Sequence, residues 1–132
     1  MNILLMAHSG LRWLVIVVAA VAIIEYLIGW LRRAQFRGMD RGFMAAFSGL
    51  MDLQATLGII LLLWSGFTGA GFPGFRLLHG LIMIIAAVVA HMSVRWKDAD
   101  DTTRFRNNLF IILASLILVL IGIAVLPGGL SR

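Results

Sequence analysis

The sequence has no cysteine among its 132 residues. Disulfides, iron–sulfur clusters, thiolate zinc sites and the covalent attachment of c-type haem are therefore excluded. Charged residues are also scarce, at 13% of the chain, whereas an average soluble domain has about 25%. The chain contains no P-loop, no HExxH segment and no GxSxG segment, so no local motif indicates nucleotide binding or hydrolysis.

Apolar residues are present in excess, at 61% of the chain. A single domain of 132 residues could not bury so much apolar surface in a soluble core. The lipid bilayer is therefore the expected surroundings of most side chains. The formal net charge is +5, but the basic residues lie in short segments between apolar ones. That distribution is typical of membrane orientation and does not indicate a nucleic-acid partner.

Four apolar segments, at about 3–31, 43–64, 76–96 and 108–126, are each long enough to span a membrane. A hydrocarbon core about 30 Å thick needs about 20 helical residues. The first segment is too long for a cleaved signal peptide and has no basic start, so we expect a retained helix. The short connections predict antiparallel neighbours. The sequence therefore predicts one all-α domain, an up-down bundle of four transmembrane helices.

The basic residues predict the orientation of this bundle. Eight of the eleven lie at the connections after the first and third segments, which predicts that both connections are cytoplasmic and both termini non-cytoplasmic. Those eight are Arg32, Arg33, Arg37, Arg41, Arg95, Lys97, Arg104 and Arg106. The remaining three are Arg12, Arg76 and Arg132.

Two histidines lie at similar depths on the first and third segments. Ionisable residues inside a membrane are costly, so each one is a functional candidate. His8 and His79 match the arrangement that a bis-histidine haem b requires, with both as ligands of the iron. Arg12 and Arg76, each about one turn away, would pair with the haem propionates. The alternative is that both histidines are ordinary interfacial residues near helix ends.

His91 cannot share an iron with His79, because twelve residues of helix separate them by about 18 Å. We expect His91 near the cytoplasmic interface, reaching water. Ser48, Asp52 and Thr56 recur at helical spacing, and we expect their shared face to look into the bundle. Asp52 is then a candidate proton carrier, a hydrogen-bond partner of a ligating histidine, or a protonated group in a helix contact.

Glu25 is the remaining ionisable residue within an apolar segment. The same interpretations apply to it as to Asp52. It is also a candidate partner of Arg32, seven residues further along the first helix.

The segment His8-Ser9-Gly10-Leu11-Arg12-Trp13 resembles the opening of a group of small bacterial four-helix membrane proteins often labelled cytochrome b-like. The segment 52–58, DLQATLG, and His79 followed by Met83 also look like that group's second and third helices. The resemblance covers nearly the whole chain. It implies a multi-pass protein of the bacterial cytoplasmic membrane with bound haem b.

Three classes of function follow from these patterns. The first is a b-type cytochrome-like subunit for electron transfer, with haem between His8 and His79. The second is an accessory subunit of a larger respiratory or photosynthetic complex, or a homo-oligomer, either free of cofactor or in contact with a pigment. The third is a small proton or solute pathway that uses Glu25, Asp52 and His91. An electron-transfer or accessory role fits a chain without a soluble domain better than a stand-alone enzyme does.

Overall fold

The computed structural model describes residues 2–129, and within them the chain is helical almost throughout. A π-helical turn, Gly66–Ala70, continues the second helix, and a 3₁₀ turn, His91–Trp96, continues the third. All four helices are long and apolar enough to cross a membrane. In chain order they are α1 (Asn2–Arg32), α2 (Gly38–Ser65), α3 (Gly74–Ala90) and α4 (Asp101–Ala124).

The helices form a closed ring in which each one packs against two others. α1 and α3 both pack against α2 and α4, so α1 faces α3 across one diagonal of the bundle and α2 faces α4 across the other. We call the end where α1 begins and α4 ends the terminal end. The opposite end, with the connections at 33–37 and 97–100, is called the basic end. The predicted all-α four-helix bundle is confirmed.

Helix α4 begins at Asp101, seven residues before the apolar segment that predicted it. Asp100 caps this start, because its carboxylate accepts hydrogen bonds from the Thr103 amide at 3.4 Å and from the Thr103 hydroxyl at 2.5 Å. These hydrogen bonds lower the pKa of the exposed Asp100 carboxyl from its ordinary value of 3.8. Capping therefore extends the helix into a polar segment that hydropathy alone does not assign to it.

Helix α2 likewise begins at Gly38, ahead of the predicted start near residue 43. The Asp40 carboxylate accepts the backbone amide of Arg37 at 2.9 Å and so ties down the first turn. The hydroxyl of Tyr26 on α1 donates to the backbone carbonyl of Asp40 at 2.6 Å. The connection between α1 and α2 is therefore shorter than the sequence predicted.

Aromatic side chains fill the basic half of the bundle. The ring of Tyr26 stacks on that of Phe36, and the Phe105 ring packs edge-on against Phe36 at a centroid distance of 5.0 Å. The Arg104 guanidinium lies 4.1 Å above the Phe36 ring and covers this cluster. Gly29 lies against Phe105 with no room for a Cβ atom, so α1 and α4 approach closely here. This half of the interior is tightly packed.

The connection between α2 and α3 is a defined turn. The chain reverses at the end of the π-helical turn Gly66–Ala70, through Gly69 within it and Gly71 after it. Their φ values of +136° and +69° are ones that only glycine adopts readily. The Arg76 guanidinium donates to the Gly71 carbonyl at 2.8 Å and also to the Ser65 hydroxyl. Arg76 therefore holds the end of α2 against the start of α3.

Candidate cofactor site

The terminal half of the bundle contains a cavity of about 640 Å³ between the four helices. It lies beyond the packed aromatic cluster, and most of its wall is apolar. All four residues predicted to hold haem line this cavity: His8, Arg12, Arg76 and His79. The structure therefore brings the predicted ligands and the predicted propionate partners to one place.

His79 is held in a fixed orientation by the backbone of α4. Its Nδ1 lies 2.6 Å from the carbonyl oxygen of Gly122. Because a carbonyl oxygen can only accept, Nδ1 must carry the hydrogen, which leaves Nε2 with its lone pair. Gly122 is buried, and a Cβ atom there would come within 2.7 Å of the Met83 side chain, so glycine permits the close approach of α3 and α4. His79 thus has one anchored nitrogen and one nitrogen that can bind a metal.

His8 reaches across from α1 and lies against α2. Its ring occupies the space left by Gly58, where an added Cβ atom would be 3.1 Å from His8 Cε1. The Gln54 side-chain amide donates to the His8 backbone carbonyl at 2.7 Å and fixes this turn of α1 against α2. Within the described residues, His8 Nδ1 and Gln54 Oε1 are buried without a hydrogen-bond partner. Buried polar atoms are nearly always paired, so these two unpaired atoms are an unusual feature of the α1–α2 contact beside the cavity.

The two histidines approach the cavity from diagonal corners of the bundle. α1 and α3 run in the same direction, and His8 and His79 are at similar distances from the terminal end. Cofactor pockets are commonly about 300–1,000 Å³ and largely apolar with a few polar groups, as this cavity is. His8 and His79 are therefore the two residues that could hold a haem iron in this cavity, with Nδ1 of His79 held by the Gly122 carbonyl.

The two arginines differ in how much of their hydrogen-bonding capacity is already used. Arg76 donates to Gly71 and Ser65, as described above. The Arg12 guanidinium lies 5.3 Å from the centre of the Trp13 ring. In the described part of the chain neither arginine is within 4.0 Å of a carboxylate. Arg12 therefore has the more available cation at the rim of the cavity.

His91 lies outside the cavity and is paired with Asp52. Its Nε2 is 2.8 Å from Oδ1 and 2.7 Å from Oδ2 of that aspartate. The two side chains are 50% and 51% exposed at the outer surface of the bundle, between α2 and α3. His91 is near the basic end and half exposed, and its pairing with Asp52 was not predicted from the sequence. Asp52 does bond a histidine, but not one of the two at the cavity.

The prediction that the polar face of Ser48, Asp52 and Thr56 looks into the bundle is wrong. Asp52 and Thr56 are exposed, and the Thr56 hydroxyl donates to the backbone carbonyl of Asp52 at 2.8 Å. The buried face of α2 instead carries Phe47 and Met51, offset from the polar residues around the helix. The polar spacing correctly groups these residues on one face, but spacing alone does not say which way that face points.

Glu25 lies at the basic end and interacts with Asp40 of α2. The predicted pair with Arg32 does not form among the described residues. Glu25 is thus at the α1–α2 contact, whereas Asp52 and His91 are on the outer surface between α2 and α3. The structure does not join the three predicted relay residues into one cluster.

Three features of the site were not predicted from the sequence. They are the positions of Gly58, Gln54 and Gly122 around the two histidines. Their roles come from contacts between residues 43 to 50 positions apart, which no local pattern encodes.

Comparison of this chain with protein-family models, with curated proteins and with solved structures finds no match. The described residues contain no cluster of three or more His, Cys, Asp or Glu side chains that could hold a bare metal ion. A haem needs only two axial ligands from the protein, because the macrocycle supplies the other four.

Proposed function

We propose that this protein is a b-type cytochrome-like membrane subunit that holds one haem between His8 and His79 and serves in electron transfer. The observation that supports this most strongly is the placement of both histidines on diagonal helices at one apolar cavity. The anchored Nδ1 of His79 and the unpaired buried Nδ1 of His8 add to it.

The residues around the cavity have distinct roles in this proposal. The Gly122 carbonyl sets the tautomer of His79 and makes its Nε2 a better ligand. Gln54 holds the His8 turn in place, and Gly58 leaves room for the His8 ring. The apolar wall excludes water. When bound, haem supplies a one-electron couple whose potential depends on its ligands and on nearby charges.

Arg12 and Arg76 are the proposed partners of the two propionates. Arginine pairs well with carboxylates through its planar, multiply donating guanidinium. Arg12 contributes the more available cation, and Arg76 combines this role with its hydrogen bonds to the α2–α3 turn. We place the protein in the bacterial cytoplasmic membrane, where such a subunit passes electrons between partners and does not act as a stand-alone enzyme.

Titration of the purified protein in detergent with haemin tests the proposal. We expect one haem per chain, with the absorption spectrum of a low-spin, six-coordinate iron. His79→Ala should abolish the low-spin spectrum, and His8→Ala should abolish it or convert it to high-spin. His91→Ala is the matched control, because His91 lies outside the cavity, and it should leave the titration unchanged. Loss of binding only in His91→Ala would contradict the proposed site.

A further inference from the structure

An ionisable pair faces out of the bundle at a depth where lipid would surround it. Asp52 is near the middle of α2, 14 residues after Gly38 and 13 before Ser65. It and His91 are half exposed, and theirs is the only contact within 4.0 Å between a basic side chain and a carboxylate among residues 2–129. Ionisable residues within a membrane almost always face protein or a water-filled cavity. The outward position of this pair therefore indicates that protein covers it.

The surface around Asp52 has the spacing of a helix-packing seam. Seven exposed residues of α2 recur at alternating intervals of three and four, the repeat by which two parallel helices interlock. The half nearest the basic end has small residues, and nothing lies within 4 Å of a Cβ added at its two glycines. Small residues let membrane helices approach closely. This α2 seam consists of Gly42, Ala45, Gly49, Asp52, Thr56, Ile59 and Leu63.

We propose that a second copy of this chain docks along the α2 seam, related by a two-fold axis along the membrane normal. Two copies with the same orientation have parallel α2 helices, so identical residues meet at the same depth. The centre of the seam is complementary to itself, because Asp52 is an acceptor with spare lone pairs and His91, in the imidazolium form, donates from both ring nitrogens. Within the described residues His91 Nδ1 makes no hydrogen bond. The axis therefore brings the His91 donor of each copy towards the Asp52 carboxylate of the other.

This inference does not depend on the haem proposal, because the seam includes none of the predicted haem ligands and shares only Ile59 with the lining of the cavity. A preparation without haem can form the dimer, and a monomer can bind haem. The two proposals therefore fail separately.

Disulfide cross-linking in membranes tests the dimer directly, because the natural chain has no cysteine. Gly49→Cys places a thiol on the seam, and a lipid-soluble oxidant should link two copies through it. Ala114→Cys is the matched control. It is exposed at a similar depth on α4, diagonally opposite α2. A dimer from Gly49→Cys alone is the expected result. No dimer from Gly49→Cys, equal dimer from both variants, or Gly49→Cys linked only to a different protein would overturn the proposal.

A larger side chain on the α2 seam gives a second, independent test of the dimer. Gly49→Leu should convert the protein from dimer to monomer in detergent, as measured by light scattering, because the two α2 helices can no longer approach. Ala114→Leu should leave the dimer intact. The Gly49→Leu side chain extends into open space in the single chain, so folding should persist with unchanged helical circular dichroism. A dimer that survives Gly49→Leu would rule out this interface.

The polar centre is tested by Asp52→Asn, which keeps the shape of the side chain and removes its charge. Hydrogen bonds between membrane helices stabilise their association. The dissociation constant of the Asp52→Asn dimer should therefore be at least about threefold higher than that of the natural protein. Asp98→Asn, an exposed aspartate in the connection before α4, is the control and should leave the constant unchanged. Equal constants for Asp52→Asn and the natural protein would overturn the role assigned to the pair.

Discussion

At the scale of single residues, two glycines shape the site as much as the larger side chains do. Gly58 leaves the space in which the His8 ring lies, and Gly122 lets α3 approach α4 closely enough for His79 to reach a carbonyl. Neither glycine carries chemistry of its own. The proposed ligation therefore depends on two positions where a larger residue would displace an imidazole or the helix that holds it.

Gly58→Val should weaken haem binding by displacing the His8 ring, since an added Cβ already lies 3.1 Å from His8 Cε1. Overpacking in a filled interior costs about 1–3 kcal/mol, which corresponds to a roughly fivefold to hundredfold higher dissociation constant. Gly49→Val is the control for the lower helix propensity of valine, because nothing lies near that position in the chain. Haemin titration measures both constants, and equal affinities for the two variants would contradict the contact.

The sequence identified the histidine pair because depth in a membrane follows from position along a helix. His8 and His79 were expected at matching depth, and the structure places both at one cavity. Their partners could not be predicted in the same way. The bond from Gln54 to the His8 carbonyl and that from His79 to Gly122 join different helices, and they depend on helix rotation within the bundle.

At the scale of helices, hydropathy located the four membrane segments but not their ends. The thickness of the membrane determines how long an apolar segment is. Capping residues in the polar flanks determine where the helix begins. Asp100 does this for α4 and Asp40 for α2. Hydropathy also did not predict how α2 is rotated about its own axis. The Ser48–Asp52–Thr56 face was expected inside and lies outside, because both faces of a membrane helix are apolar and hydropathy does not distinguish them.

The Asp100 cap makes the start of α4 sensitive to acid. The folded state lowers the pKa of this carboxyl through its bonds to Thr103, so the ionised form stabilises the fold above the ordinary value of 3.8. That stabilisation is lost as the pH falls through the lowered pKa. The melting temperature should therefore fall between about pH 5 and about pH 3 by less in Asp100→Asn than in the natural protein, because asparagine caps a helix without titrating. Identical pH profiles would show that ionisation of Asp100 does not contribute to stability.

At the scale of the whole molecule, the bundle divides into two functional halves. The basic half is packed with aromatic rings and holds the helices together, whereas the terminal half encloses the cavity. A tightly packed half gives the cavity a fixed geometry, which ligands on separate helices require. The up-down connectivity that produces this arrangement was predictable from four apolar segments and three short connections.

The distribution of basic residues predicts that the cavity lies nearer the non-cytoplasmic surface. Single cysteines introduced at Gln35, in the connection before α2, and at Thr68, in the turn after it, test this orientation. In intact cells a membrane-impermeant maleimide should label Thr68→Cys and leave Gln35→Cys unlabelled until the cells are lysed. Labelling of Gln35→Cys from outside would reverse the orientation and place the cavity at the cytoplasmic face.

A reduced-minus-oxidised absorption spectrum of the protein purified from haem-replete cells tests whether it carries haem b as proposed. We expect a Soret band and a sharp α-band, with close to one extractable, non-covalent haem per chain. A folded, helical preparation with neither band, and with no haem on extraction, would contradict it.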